Sequence, residues 1–497
     1  MVLNILQTAS LNLYRSHGAF KLYLLSFILS LVACLSLGIL TLFSIFTDPF
    51  TNHLHYSQSI INNIIIFQTL GLNGLTPLCG YIADSKGIWI LSAMSFTGYI
   101  IGFNMILLVY TTGADHRLMY LSFFIIGCSH GAFLFSCLLN CAKSFGRYYK
   151  TLSISTPNVM VAFSSFLQIK FMSAFLNNDS DPNVNFIHTL KFFLWSLAIS
   201  SFVSLIACKL TDYIEFFEKE YDHSEIEEFS NFETSPLLTG AGIVFHSPQG
   251  SILGSPRSWY VDDSELLNLD DELSMLSTST GTNYNDKIKK FSRDPLMYPL
   301  IFCCMISIGA TEFFIANLSS ILSNLQNTAL DKNLQTFSVA STITRFLIMI
   351  LTDYICTRFG VSRLTLISII VLSCALSHLY LSSAPMNSVN VSLVVSLNAM
   401  LNSSVFTLFP AILASIYGIE ILGTTWGVFS SSSIIGNLFL NLAYSFDFVK
   451  NCASITNDEM VICSTFTFFI SGTVMFFFGL IVFALRGKYL SRAHEFF

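Results

Sequence analysis

Apolar residues gather along the chain into runs of about twenty, each closed by a polar cluster. A helix needs a run of about that length to cross roughly 30 Å of hydrocarbon at about 1.5 Å per residue. Read this way, the chain holds spans near 22–46, 58–83, 88–110, 118–141, 151–175 and 190–209. After a long polar interruption come 297–320, 334–355, 364–382, 388–416, 423–446 and 463–486. The expected fold is an all-α membrane protein with twelve transmembrane helices in two six-helix bundles. Its parts are an N-terminal tail 1–21, a bundle 22–209, a linker 210–294, a second bundle 295–486 and a C-terminal tail 487–497.

Composition agrees. Hydrophobic residues make up 53% of the 497 and charged residues 11%, with a mean hydropathy of +0.64. Ordinary soluble domains carry about 25% charged residues, so a water-soluble chain of this size could not cover its surface. The first run, Leu22 to Phe46, is longer than a signal-peptide core and has no small-residue cleavage site behind it; it is expected to be the first span. The 12 cysteines are mostly scattered within apolar runs without metal-ligand spacing, as small apolar residues in packed helices. No cofactor or metal is expected.

Charge sets the orientation. With a cytoplasmic N-terminus, the tails and short loops put eleven basic residues inside (Arg15, Lys21, Lys86, Lys143, Arg147, Lys150, Arg358, Arg363, Arg486, Lys488, Arg492) and four outside (Arg117, Lys191, Lys332, Lys450). That asymmetry follows the positive-inside rule and puts both termini in the cytoplasm. The glycosylation sequons at Asn178 and Asn390 then lie on the side where they can be used. Cys452 and Cys463 fall in or beside the last outer loop, where an oxidising lumen would favour a disulfide.

The 210–294 stretch differs in kind. Seventeen acidic residues face six basic ones there, a net of −11 in a chain whose total is −6. Strongly acidic and rich in Ser, Thr and Gly, it is expected to be a largely disordered cytoplasmic linker. Within it, Glu233, Leu237 and Leu238 fit an acidic dileucine signal of the kind that sorting adaptors read.

A repeat carries the mechanism. Gly80, Asp84 and Gly87 close the second span, and Asp353, Gly360 and Arg363 close the eighth. Each copy sets an Asp at a helix end before a tight Gly turn with basic residues. Such an Asp can pair with a loop cation or with a helix end of the neighbouring bundle, latching the cytoplasmic side while the outer side is open.

On these residues the chain resembles the major facilitator superfamily, whose loop signature is Gly-x-x-x-Asp-Arg-x-Gly-Arg; Ser85 stands where the family has Arg. Within it, the chain is similar to fungal monocarboxylate-transporter homologues through Leu37 to Ser44, Ser235 to Leu238, Asp294-Pro295, Glu312 to Asn317 and Thr344-Arg345. The resemblance implies the major facilitator fold, a small-molecule substrate, a monomer and, with the dileucine pattern, a vacuolar membrane location. One departure narrows it: Leu22 to Phe46 holds no acidic or basic residue, whereas monocarboxylate transporters carry a basic residue in helix one.

Polar residues inside spans are the substrate-binding candidates, because a mid-bilayer charge costs about 2.5–3.5 kcal/mol. Arg345 lies eight residues before Asp353, about 12 Å in from the cytoplasmic edge. It could bind an anionic group while Glu312 or His130 takes up a proton. Asn104, Asn317 and Asn402 could line the path. Arg345 could equally be a structural partner of Glu312.

The expected function is a secondary transporter moving an organic anion or an amino-acid-like metabolite by alternating access; the alternative is a non-transporting nutrient sensor with the same fold. The chain has no Walker-type Gly-x-x-x-x-Gly-Lys, which argues against ATP-driven transport. It has no HExxH helix, so it is not expected to be an enzyme, and nothing points to nucleic acid. Protease added to sealed vacuoles should cut within 210–294 and spare 177–185; protection of the linker would reverse the topology.

Overall fold

A computed structural model describes residues 19–38, 44–56, 58–145, 150–175, 182–233, 284–318, 321–322, 330–383, 390–452 and 465–496. Its helices are α1 (Ala19–Cys34), α2 (Ser44–Asn52), α3 (Gln58–Gly74), α4 (Thr76–Lys86), α5 (Trp89–Thr112), α6 (His116–Phe145), α7 (Lys150–Phe175) and α8 (Pro182–Glu233). There follow α9 (Tyr284–Arg293), α10 (Met297–Ala316), α11 (Leu330–Phe359), α12 (Arg363–Ser383), α13 (Val391–Tyr417), α14 (Leu422–Cys452) and α15 (Thr465–Phe496). Among the described residues, eight helices are long and apolar enough to cross a membrane unaided. With the interrupted pairs α1–α2 and α3–α4, and with α7 and α14, they retrace the expected twelve passes, six on either side of 234–283.

Large apolar side chains are exposed around the outside, among them Trp195, Ile350 and Phe446 at 60% or more. In water such a surface would aggregate; in hydrocarbon it costs nothing. Inside, Phe46, Phe103, Phe123 and Phe193 fill the first bundle. A second core runs without a break from Cys79 and Ala83 of the first bundle to Trp426 and Phe429 of the second. The bundles therefore share packed surface at one end, the end that carries the Gly87 and Gly360 turns, called here the turn end.

Two spans expected to be continuous are broken. The 22–46 span stops at Cys34, and its freed backbone groups find partners on α7: the Gly38 N–H donates to Ser164 Oγ (2.6 Å) and Gln168 Nε2 donates to the Leu35 carbonyl (3.0 Å). Irregular backbone at membrane depth is tolerated only where protein satisfies it in this way. The 58–83 span breaks at Leu75, because Pro77 lacks an N–H and is accommodated in the first turn of α4. In the second half α10 likewise ends at Ala316, short of the expected 320.

The linker expectation needs correcting at both ends. Residues 210–233 continue α8, a stretch without Gly or Pro whose first turns are tied down by Lys143–Glu215 (3.4 Å) and by Lys209 over the Trp89 ring (3.8 Å). Residues 284–293 form α9, an amphipathic helix docked on the turn end. Tyr284 Oη meets Thr424 Oγ1 (2.9 Å), Lys287 pairs with Glu420, and the Phe291 ring packs on Tyr417 (4.9 Å). Burial pushes the Tyr284 hydroxyl up to about 12, so it stays protonated in the contact at physiological pH.

Phe291→Ala should remove the apolar anchor of α9, at a local cost of about 3–5 kcal/mol. Limited trypsin digestion should then cut at Lys287–Arg293 much faster while the bundles remain resistant. Unchanged cleavage would mean that Phe291 does not hold this helix.

Candidate functional site

The turn end is closed by two reciprocal contacts. Asp84, at the end of α4, caps the first turn of α14 from the other bundle: Gly423 N–H donates to Oδ1 (3.1 Å), and the Thr424 N–H (2.6 Å) and hydroxyl (2.8 Å) donate to Oδ2. These donors are among the first N–H groups of a helix, which have no partner within it and sit at the positive end of its dipole. The backbones also touch. A Cβ at Gly80 would overlap the Gly423 carbonyl, and one at Gly427 would strike the Thr76 carbonyl.

Asp353 mirrors the arrangement. It belongs to the second bundle and accepts the Leu152 N–H (3.2 Å) in the first turn of α7. Arg363 completes this copy, donating from Nη2 to Asp353 Oδ1 (2.8 Å) and from Nε to Thr151 Oγ1 (2.8 Å). Gly87 (φ 106°) and Gly360 (φ 62°) make the turns that follow, in a backbone region that side chains disfavour. All six residues of the expected gating signature thus lie at one end, and each Asp meets a helix start of the opposite bundle.

Deeper in, Arg345 Nη1 donates across the interface to the Asn158 carbonyl (3.2 Å), and Asn158 Nδ2 donates to the Phe406 carbonyl (2.9 Å). Arg345 Nε is buried without a hydrogen-bond partner. Glu312 on α10 does not reach it: among the described residues no ion pair joins the two. Instead Glu312 Oε2 accepts from Asn437 Nδ2 (3.0 Å). Asn437 Oδ1 accepts from Asn441 Nδ2 (2.5 Å), and Asn441 Oδ1 accepts from Asn317 Nδ2 (2.8 Å). Beside this chain, Thr311 Oγ1 donates to Asn402 Oδ1 (3.4 Å).

The structure thus brings Glu312 and Asn317 into one network, with Asn402 next to it, and puts Arg345 on the inter-bundle face. His130 and Asn104 lie elsewhere. His130 is 5% exposed, with Nδ1 3.3 Å from the hydroxyl of fully buried Tyr99; this is a packing contact inside the first bundle. Asn104 is exposed and donates to the Ile100 carbonyl of its own helix (2.7 Å). Asn437 and Asn441 had only their place in an apolar span to mark them. The same signal could have found His378, fully buried between Asn398 Oδ1 (3.0 Å) and Ser471 Oγ (2.7 Å). Asn390 is exposed and its side chain caps α13 by accepting the Leu393 N–H (3.2 Å). Asn178, Leu237, Leu238 and Cys463, and the side chains of Glu233 and Cys452, lie outside the described residues.

No family model matches the chain. It is 25% identical over 443 residues to "Probable transporter MCH1" of Wickerhamomyces anomalus, covering 88% of this chain and 82% of that one. A protein of the same name from Debaryomyces hansenii is 28% identical over 447 residues, covering 86% and 85%. Among solved structures, the proton:xylose symporter XylE superposes with a TM-score of 0.61 at 13% identity over 96% of this chain and 97% of that one. The E. coli fucose:proton symporter FucP gives 0.56 at 11% over 93% and 99%. The chain has the fold of these major facilitator superfamily symporters and is homologous over most of its length to fungal proteins named as probable transporters. Its turn end holds the residues on which the sequence resemblance to that superfamily rests, Gly80 to Gly87 and Asp353 to Arg363.

Removing both acceptors, Asp84→Ala with Asp353→Ala, leaves buried N–H groups unpaired at a cost of about 1–3 kcal/mol each. A cysteine replacing Ser155, fully buried below the closed end, should then react with a membrane-impermeant thiol reagent roughly 5–30-fold faster. Equal protection in the single-cysteine parent and in the variant would rule the latch out.

Proposed function

We propose that this transporter moves an organic anion or an amino-acid-like metabolite across the vacuolar membrane by alternating access. The observation that carries the reading is Arg345. It sits on the face between the bundles, above a closed latch, with one N–H spent on the Asn158 carbonyl and a buried Nε that has no partner. A guanidinium left partly unsatisfied at this depth suits an incoming carboxylate, which accepts two parallel N–H bonds. Major facilitator sites lie near the midplane between the repeats, and Arg345 is about 12 Å from the turn end by helical rise.

Two further features support it. The first helix, α1, stops at Cys34 inside its expected span, and an interrupted membrane helix points to a solute site. The latch acidic groups lie beside the basic loops that the charge asymmetry assigns to the cytoplasm, so the closed end is read as cytoplasmic and the path as open to the lumen. The vacuolar location rests on Glu233, Leu237 and Leu238 together with the fungal resemblance; the relatives themselves are named only as probable transporters.

Arg345→Gln should abolish uptake of the solute into vacuolar vesicles while leaving abundance and delivery unchanged. Arg345→Lys should keep little activity if the contact is bidentate. The solute itself is found by comparing metabolites of vacuoles with and without the protein, and full transport by a folded Arg345→Gln protein would remove Arg345 from the site.

A further inference from the structure

The three amides that lead to Glu312 all point the same way. Asn317 donates to Asn441, Asn441 to Asn437, and Asn437 to the carboxylate, at 2.8, 2.5 and 3.0 Å. Head-to-tail amides polarise one another, and a chain whose donors all run toward one end favours negative charge at that end. Here that end is Glu312. Among the described residues its other oxygen, Oε1, accepts no hydrogen bond, and no Lys, Arg or His forms an ion pair with it.

Glu312 is also only half-buried, fifteen residues into α10, or about 22 Å along it. A carboxylate facing hydrocarbon at that depth would cost several kcal/mol, so its accessible side is read as facing the solute path. The surroundings therefore combine a charge-stabilising amide chain with an accessible, uncompensated anionic oxygen. We infer that Glu312 Oε1 is the binding point for an ammonium group, so that the solute carries a primary amine as well as the anionic group bound by Arg345. This inference rests on the transport reading above for its second half, since Arg345 supplies the anion contact. The ammonium site itself stands on Glu312 and its amides alone.

Its test uses a reagent that is itself an alkylammonium. Ala316 is exposed one helical turn after Glu312 and so shares its face. In full-length protein in nanodiscs, Ala316→Cys is labelled with aminoethyl methanethiosulfonate, a cation, and with its anionic sulfonatoethyl counterpart, and rates are read by peptide mass. The cation-to-anion rate ratio should exceed that in Ala316→Cys with Glu312→Gln roughly tenfold. The same ratio at exposed Ser392→Cys gives a reference that needs no change at Glu312, so a Glu312→Gln protein that fails to fold does not spoil the comparison. A ratio equal to either reference, or no reaction with either reagent, overturns the ammonium site. A strong cation preference without uptake of any amino acid by vesicles leaves the site standing and removes the transport reading; uptake without the preference does the reverse.

Discussion

A half-buried carboxylate against a helix start of the opposite bundle is the contact on which the closed form depends. Asp84 in water would be held by solvent; between α4 and α14 it is tolerable because two N–H groups and a hydroxyl point at it. Those N–H groups need it equally, since the first turn of α14 has no internal acceptor for them. Because the second copy runs from Asp353 to the first turn of α7, each bundle supplies one acceptor and one set of donors. Neither half can leave without exposing an unmet group of its own and one of its neighbour's. The glycines at 80, 423 and 427 follow from this, because the carboxylate reaches its donors only when the two backbones touch.

Such a closure must also be reversible. Hydrogen bonds to charged groups contribute about 1.5–3 kcal/mol each when buried, but water replaces most of that when the ends part. The net preference for the closed form is therefore a few kcal/mol, within reach of what differential solute binding can supply. An ion pair fully enclosed in the core would have been harder to open. Arg363, 23% exposed at the side chain in its contact with Asp353, keeps its charge near water and so keeps the opening cost low.

How much of this was legible in the chain depends on range. The twelve passes were plain, because apolar length is a local property that needs no partner. The latch carboxylates were also legible, since two Asp-turn-Gly copies at matching places are improbable as mere caps. Their partners were not: Gly423 and Leu152 lie 339 and 201 residues away in sequence, and a backbone N–H carries no side-chain signal. The same reason explains the breaks in the first two spans. Pro77 announced one, but the stop at Cys34 depends on Ser164 and Gln168 reaching over from α7. A lone histidine in an apolar run looks the same in sequence whether it faces a path or, as His130 does, a tyrosine. The 284–293 helix was hidden by its charge, which resembles the rest of the linker until Tyr284, Ile288 and Phe291 are seen to share one face.

The closed end and the proposed anion site at Arg345 are joined by a short covalent and hydrogen-bonded route. Arg345 and Asp353 are two turns apart on α11, and their partners, Asn158 and Leu152, are under two turns apart on α7. The two helices are thus riveted at two levels. An anion that drew the guanidinium away from the Asn158 carbonyl would release the upper rivet and leave the load on Asp353 and Arg363 alone. Arg345 would then do what a bound solute must in alternating access, which is to bear differently on the two states rather than merely to occupy one of them. A cation placed elsewhere on α11 could bind the same anion, but without a carbonyl of the facing bundle to give up it would leave the gate indifferent to the solute.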